Sequence, residues 1–171
     1  YKLGHTDLWI PYIGTFNLGW LMIPLFAFAV VASGNAVNIS DGLDGLAGGL
    51  LIMSYGAFGL ISLIQGRYSL AAFCFTALGT LLAYVWCNVF PARFFMGDVG
   101  SFAWGTAIGV VAMLTDSLLL LPVIGFLFVV EAGSSLIQII SKKFFGRKIF
   151  ISAPIHHHLE AKGWEETKIT M

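Results

Sequence analysis

Charge is what this chain has least of: Asp, Glu, Lys and Arg make up 11% of its 171 residues, against about 25% in an ordinary soluble domain. Nine acidic residues balance nine basic ones. The clustered basic excess that a binder of phosphate backbone carries is therefore missing, and nucleic acid is excluded as a partner. Cysteine is nearly absent too. Cys74 and Cys87 lie in one apolar segment and read as small core residues, silent about redox compartment. Tyr1 opens the chain with neither an initiator Met nor a signal peptide, so it is expected to be a piece of something longer. What fills the space left by charge is apolar: 58% of residues are hydrophobic and the mean hydropathy is +0.87. The fold class expected is an all-α integral membrane protein.

Five apolar runs are long enough to be weighed as membrane spans, for which about 20 residues are needed. They cover about 18–37, 46–64, 70–89, 99–121 and 118–140, and 141–171 leaves the membrane. Upstream, Trp9, Tyr12 and Phe16 suit a membrane interface, while Pro11 and Gly14 interrupt any helix. The second run carries Gly48, Gly49, Ser54, Gly56 and Gly59, small residues that favour close helix packing in lipid. The fourth is ambiguous, because its most apolar part, 102–114, fits a re-entrant helix as well as a span. The fifth contains Glu131 and Gln138. A carboxylate inside a span marks either a functional site or a group satisfied by a neighbouring helix.

Polar residues gather in three places. The stretch Gly34-Asn-Ala-Val-Asn-Ile-Ser-Asp-Gly-Leu-Asp-Gly45 spaces Asn35, Asn38, Asp41 and Asp44 three apart, so neighbouring pairs can share a helical face. Hard oxygen and amide groups suit Mg²⁺ and phosphate esters; the plainer reading is a loop of turn-forming residues. Phe94-Phe-Met-Gly-Asp-Val-Gly-Ser101 follows the third run, with Ser101 placed to cap the next helix and aim its positive end at Asp98. Phe94 and Phe95 can anchor this loop at the interface, or one of them can stack on a nucleobase. The third place is Ala153-Pro-Ile-His-His-His-Leu-Glu160, where adjacent histidines are poor spacing for zinc but offer donors and acid-base capacity near neutral pH.

Five crossings would bring all three segments to one side. Seven of the nine Lys and Arg lie on that side, Arg93 in the loop that leads from Pro91 to Ser101 and Lys142, Lys143, Arg147, Lys148, Lys162 and Lys168 in the tail 141–171, and the positive-inside rule makes that side cytoplasmic. Phosphoryl transfer asks a protein mainly to position groups and neutralise charge, and carboxylates, a divalent cation and His around a diphosphate are suitable parts.

Asn35-Ala-Val-Asn-Ile-Ser-Asp-Gly-Leu-Asp-Gly-Leu-Ala47, Phe95-Met-Gly-Asp-Val-Gly-Ser101 and Ala153-Pro-Ile-His-His-His-Leu-Glu160 with Lys162-Gly-Trp164 resemble the phospho-N-acetylmuramoyl-pentapeptide transferases of bacterial cell-wall synthesis. The resemblance runs from Gly34 onward. It implies a Mg²⁺-dependent enzyme of the bacterial inner membrane, its active site facing the cytoplasm. UDP-N-acetylmuramoyl-pentapeptide and undecaprenyl phosphate would be the substrates, lipid I and UMP the products, and a homodimer the assembly. On matching positions Asp98 is the Mg²⁺ ligand and, with Asp41 and His157, catalytic. Asn35, Asn38, Asp44, Asn88, Phe95, Ser101, Gln138, His156 and His158 are the substrate-binding candidates, with Phe95 stacking on uracil. Ser40 stands where the family commonly has Thr, keeping the hydroxyl.

Two departures qualify the match. The family's bundle of about ten spans and its Asp-Asp motif on an earlier loop are not in this sequence, so the chain reads as a C-terminal portion that is not expected to turn over alone. A sister enzyme transferring N-acetylglucosamine-1-phosphate to a polyprenyl phosphate is the nearest alternative. A secondary transporter, whose binding groups belong at the membrane midplane, is the alternative from another class.

Overall fold

The computed structural model describes residues 7–10 and 14–171. Tyr12, expected near an interface, and Pro11, expected to interrupt any helix, lie outside the described residues, and of Trp9 only the backbone is described. Strands β1 (Asp7–Ile10) and β2 (Gly14–Asn17) form an antiparallel hairpin with Leu8 opposite Phe16. The sequence reading placed no element here. A 3-10 turn at Gly19–Leu21 leads into α1 (Met22–Ser40). Helices α2 (Leu46–Ile64), α3 (Tyr68–Asn88) and α4 (Gly97–Leu114) follow. All four are long and apolar enough to cross a membrane. Large side chains such as Phe28, Met53, Ile64 and Trp86 point outward from them, as a lipid-facing surface requires and a water-facing one would not tolerate.

Lipid supplies no hydrophobic drive between helices, so close packing must hold them together, and small residues allow it. Between α2 and α3 a Cβ on Gly48 would sit 2.5 Å from Val85 Cγ2, and one on Gly59 would sit 3.0 Å from the Phe75 ring. Between α1 and α4 the backbones themselves touch: a Cβ on Gly105 would fall 2.7 Å from the Ser33 carbonyl oxygen and 2.8 Å from Gly34 Cα, and one on Gly109 would fall 2.5 Å from Ser33 Oγ. The two pairs join through a core that includes Val37, Leu51, Tyr55, Phe58, Leu81, Ile108 and Val111. Tyr55 completes the join by donating its hydroxyl hydrogen to the Trp104 carbonyl, 2.8 Å away, with its ring edge-on to the indole. Cys74 is buried in this core, as expected of a small apolar filler.

The fourth and fifth runs depart from their expected bounds. Helix α4 is one continuous element that begins at Gly97 and ends at Leu114, well short of residue 121. It stops because the Thr115 hydroxyl bonds back to Val111 and Asp116 turns into the left-handed region with φ 52°. There Asp116 pairs with Arg67, and Gln65 donates to the Thr115 carbonyl at 2.8 Å. The fifth run is not one straight helix. A 3-10 turn at Leu118–Leu120 and the short α5 (Leu121–Ile124) meet α6 (Phe126–Phe145) at 82°, the break falling on Gly125. Two short helices, α7 (Ile155–Ala161) and α8 (Glu166–Thr170), finish the chain. The chain is a multi-pass, helical membrane protein.

Candidate active site

The site lies at the bundle end opposite the Arg67–Asp116 pair, where α1 and α3 finish and α2 and α4 begin. Helix α1 stops at Ser40, and Asp41 leaves helical geometry with ψ 45°. One turn earlier, Asn38 donates through Nδ2 to Asp98 Oδ1 at 2.9 Å and to Ser101 Oγ at 3.0 Å. Ser101 is not the helix cap expected of it. Gly97, at φ 66°, lets α4 start five residues sooner, so Ser101 sits inside the helix and its hydroxyl bonds back to the Gly97 carbonyl at 3.0 Å. Asp98 thereby enters the first turn of α4, a favourable place for a carboxylate. The Asp41 carboxylate is the partner of the Gly97 N–H and faces Asp98. Burial raises its pKa most, the neighbouring Asp98 charge raises it further, and the Gly97 hydrogen bond lowers it; the balance is upward.

Asp44 and Asn88 hold this arrangement from behind. Asp44 Oδ2 accepts the Ala92 N–H at 2.8 Å. Asn88, 2% exposed, accepts the Gly45 N–H at 2.9 Å and donates to the Phe94 carbonyl at 3.0 Å. Tyr84 accepts the Met96 N–H at 3.0 Å, and its ring meets Phe94 edge-on. Phe94 keeps this one ring contact although half exposed, and Phe95 is the more exposed of the two at 64%.

The histidine tail reaches the same end, although its three rings do different things. His156 is buried, 1% exposed, with Nδ1 2.8 Å from Glu131 Oε2 and its other edge against Gly42. That is a poor place from which to touch a ligand, contrary to the expectation of a substrate contact. His157 is half-buried and pairs with Glu160 at 2.5 Å. His158 Nδ1 accepts the Ile151 N–H at 3.1 Å, its ring edge-on to Phe150. Gln138 binds residues 149 and 150 to α6: its amide oxygen accepts both N–H groups at 3.0 Å and its nitrogen donates to the Phe150 carbonyl. Glu166 closes the tail on the site by accepting the Asp44 N–H at 2.8 Å.

Asn38, Asp98 and Ser101 are therefore in direct contact, Asp41 lies close enough to feel the Asp98 charge, and His156 rests against the loop at Gly42. Asn35 is exposed one turn up α1, its amide donated to the Val31 carbonyl. Gly97, Tyr84, Glu160 and Glu166 were not among the expected site residues. Gly97 and Glu160 stood inside the motifs without being singled out, and Glu166 is one of two adjacent acids in the tail. Among the described residues no three His, Cys, Asp or Glu side chains converge into a metal cage. Two facing carboxylates are nonetheless the donor set that suits Mg²⁺, which takes one or two carboxylates plus substrate phosphates.

The description "Glycosyl transferase family 4" matches residues 1–116, well over half the chain. The chain belongs to glycosyl transferase family 4. Within the family it is similar to the phospho-N-acetylmuramoyl-pentapeptide-transferase of Chloroflexus aurantiacus, 46% identical over 179 aligned residues that cover 99% of this chain and 49% of that protein. The protein of the same description from Clostridium perfringens strain SM101 is 46% identical, covering 99% of this chain and 53% of its own length. That of Methylacidiphilum infernorum is 43% identical, covering 91% and 46%. The chain thus spans about half the length of these family members.

Proposed function

We propose that the protein to which this chain belongs transfers phospho-N-acetylmuramoyl-pentapeptide from UDP to undecaprenyl phosphate, forming lipid I and releasing UMP in peptidoglycan synthesis. The observation that carries this reading is the Asn38–Asp98 hydrogen bond at the ends of membrane-length helices, with the Asp41 carboxylate within electrostatic reach of Asp98 and the histidine tail folded against the same loop. A lipid phosphate and a water-soluble nucleotide can meet only at such a boundary. A transporter would keep its polar groups near midplane, and these groups lie at helix ends.

Asp98, with Asp41 beside it, would hold Mg²⁺, which when bound offsets the negative charge of the diphosphate. Asn38 keeps the two helices in register through its bonds to Asp98 and Ser101. Phe95, more exposed than Phe94, whose ring edge meets Tyr84, is the aromatic proposed to stack on uracil. His157 and His158 flank the same end and are the tail's candidates for substrate contact; Asn35 lies one turn further along α1. The basic residues in the connected segments favour a cytoplasmic position for this end, and a homodimer is the proposed assembly.

The test is donor choice by the full-length protein in detergent with undecaprenyl phosphate as acceptor. UMP release from UDP-N-acetylmuramoyl-pentapeptide and not from UDP-N-acetylglucosamine is expected. The reverse preference would assign the N-acetylglucosamine-1-phosphate reaction, and release from neither would remove the transferase reading.

A further inference from the structure

We infer that Glu131 is a positioning residue for the proposed reaction, acting on the aspartate loop through His156 at Gly42; this rests on the reading that the loop forms the reacting centre. Glu131 stands in the first half of α6, 6% exposed in an apolar helix. A carboxylate withdrawn from water needs a close partner, and its partner is His156 Nδ1 at 2.8 Å. Whichever of the two carries the shared proton, the Nδ1–Oε2 hydrogen bond sets the ring plane. Nε2 must then point away from Glu131. It has no hydrogen-bond partner, alone in this among the buried side-chain nitrogen and oxygen atoms of the described residues.

What Nε2 meets is the backbone of the aspartate loop. A Cβ on Gly42 would fall 2.6 Å from Nε2 and 3.1 Å from Cε1. Gly42 is not in a left-handed conformation, so glycine serves here by its missing side chain. The ring edge rests on the residue directly after Asp41, and Glu166 holds the Asp44 N–H two residues further on. The tail thus grips the loop at two points, and the first is only as fixed as the imidazole that Glu131 orients. A displaced ring would let the loop carry Asp41 away from the Gly97 N–H and change its distance from Asp98, and displacements of about 1 Å at a reacting centre cost about a hundredfold in rate.

The experiment compares kcat and KM in the full-length protein, per folded molecule. Glu131→Ala is expected to lower kcat about 10–100-fold, as loss of an orienting partner does, with the KM for the nucleotide donor changed less than about threefold. Glu131→Gln, whose amide oxygen still accepts from Nδ1, should recover most of the rate. Gly42→Ala should lower kcat at least tenfold in the wild-type background and have little further effect once His156 is also Ala, since the side chain it strikes is gone. Glu131→Ala with wild-type kcat, or a Gly42→Ala effect of equal size in both backgrounds, would overturn the inference. Should Glu131→Ala fail to fold, Gly42→Ala with an undiminished kcat would overturn it alone. If the wild-type protein releases no UMP, the reaction reading fails, and amide hydrogen exchange of residues 41–46 decides separately. Faster exchange in Glu131→Gln than in wild type, and faster still in Glu131→Ala, supports the inference, and unchanged exchange in both contradicts it.

Discussion

Asp41 carries opposing demands in one side chain. Its folded pKa lies above the ordinary value of 3.8, so the fold disfavours the ionised form. The stability it contributes is whole below that ordinary value and is lost as pH rises through the raised one. Asp41→Asn should therefore unfold at a higher temperature than wild type near neutral pH, with the difference vanishing in acid; thermal unfolding in detergent across pH checks both halves. If ionised Asp41 is kept to receive a cation, the variant gains stability while losing activity. Asn88 is the opposite case. Its side chain satisfies the Gly45 N–H and the Phe94 carbonyl in a buried position, and Asn88→Ala would orphan both, a destabilisation on the order of 2 kcal/mol by chemical denaturation. Phe95→Ala should leave folding intact and raise the donor KM about tenfold, the worth of one base stacked on an aromatic ring.

At the scale of elements, the sharpest test is where helices touch without side chains between them. Gly105→Leu would force α4 from α1 at the Ser33 carbonyl, costing about 1–3 kcal/mol as overpacking does; Gly133, inside α6 with open space beside it, should accept Ala with no loss of stability. Length and hydropathy made α2 legible to the residue, because turn-forming Gly45 and Gly66 bound an apolar run of the right length. They failed from Thr115 to Phe128, where hydropathy continues across breaks made by the backbone at Asp116 and Gly125. Gly105 and Gly109 escaped notice because their run was weighed by its length rather than its small residues. At the site, Asp41, Asp98 and the histidines were legible as chemistry. Their division into facing groups and braces was not, since whether His156 points at Glu131 or at a ligand depends on contacts distant in sequence.

For the molecule as a whole, the aspartate loop, the Asp98 turn and the tail meet at one end and the Arg67–Asp116 pair marks the other. With Cys74 and Cys87 replaced by Ala, a single cysteine at Lys148 should react with a membrane-impermeant maleimide only from the cytoplasmic face, and one at Gly66 only from the opposite face. Whether Asp98 serves a Mg²⁺-dependent phosphosugar transfer is decided by UMP release from UDP-N-acetylmuramoyl-pentapeptide and undecaprenyl phosphate, with and without Mg²⁺, in full-length wild type and Asp98→Asn. The substitution keeps the size and the hydrogen-bonding reach toward Asn38 while removing the charge. Mg²⁺-dependent release by wild type, abolished in the variant that still folds, is the predicted result; release that is indifferent to Mg²⁺ or to the substitution would contradict it.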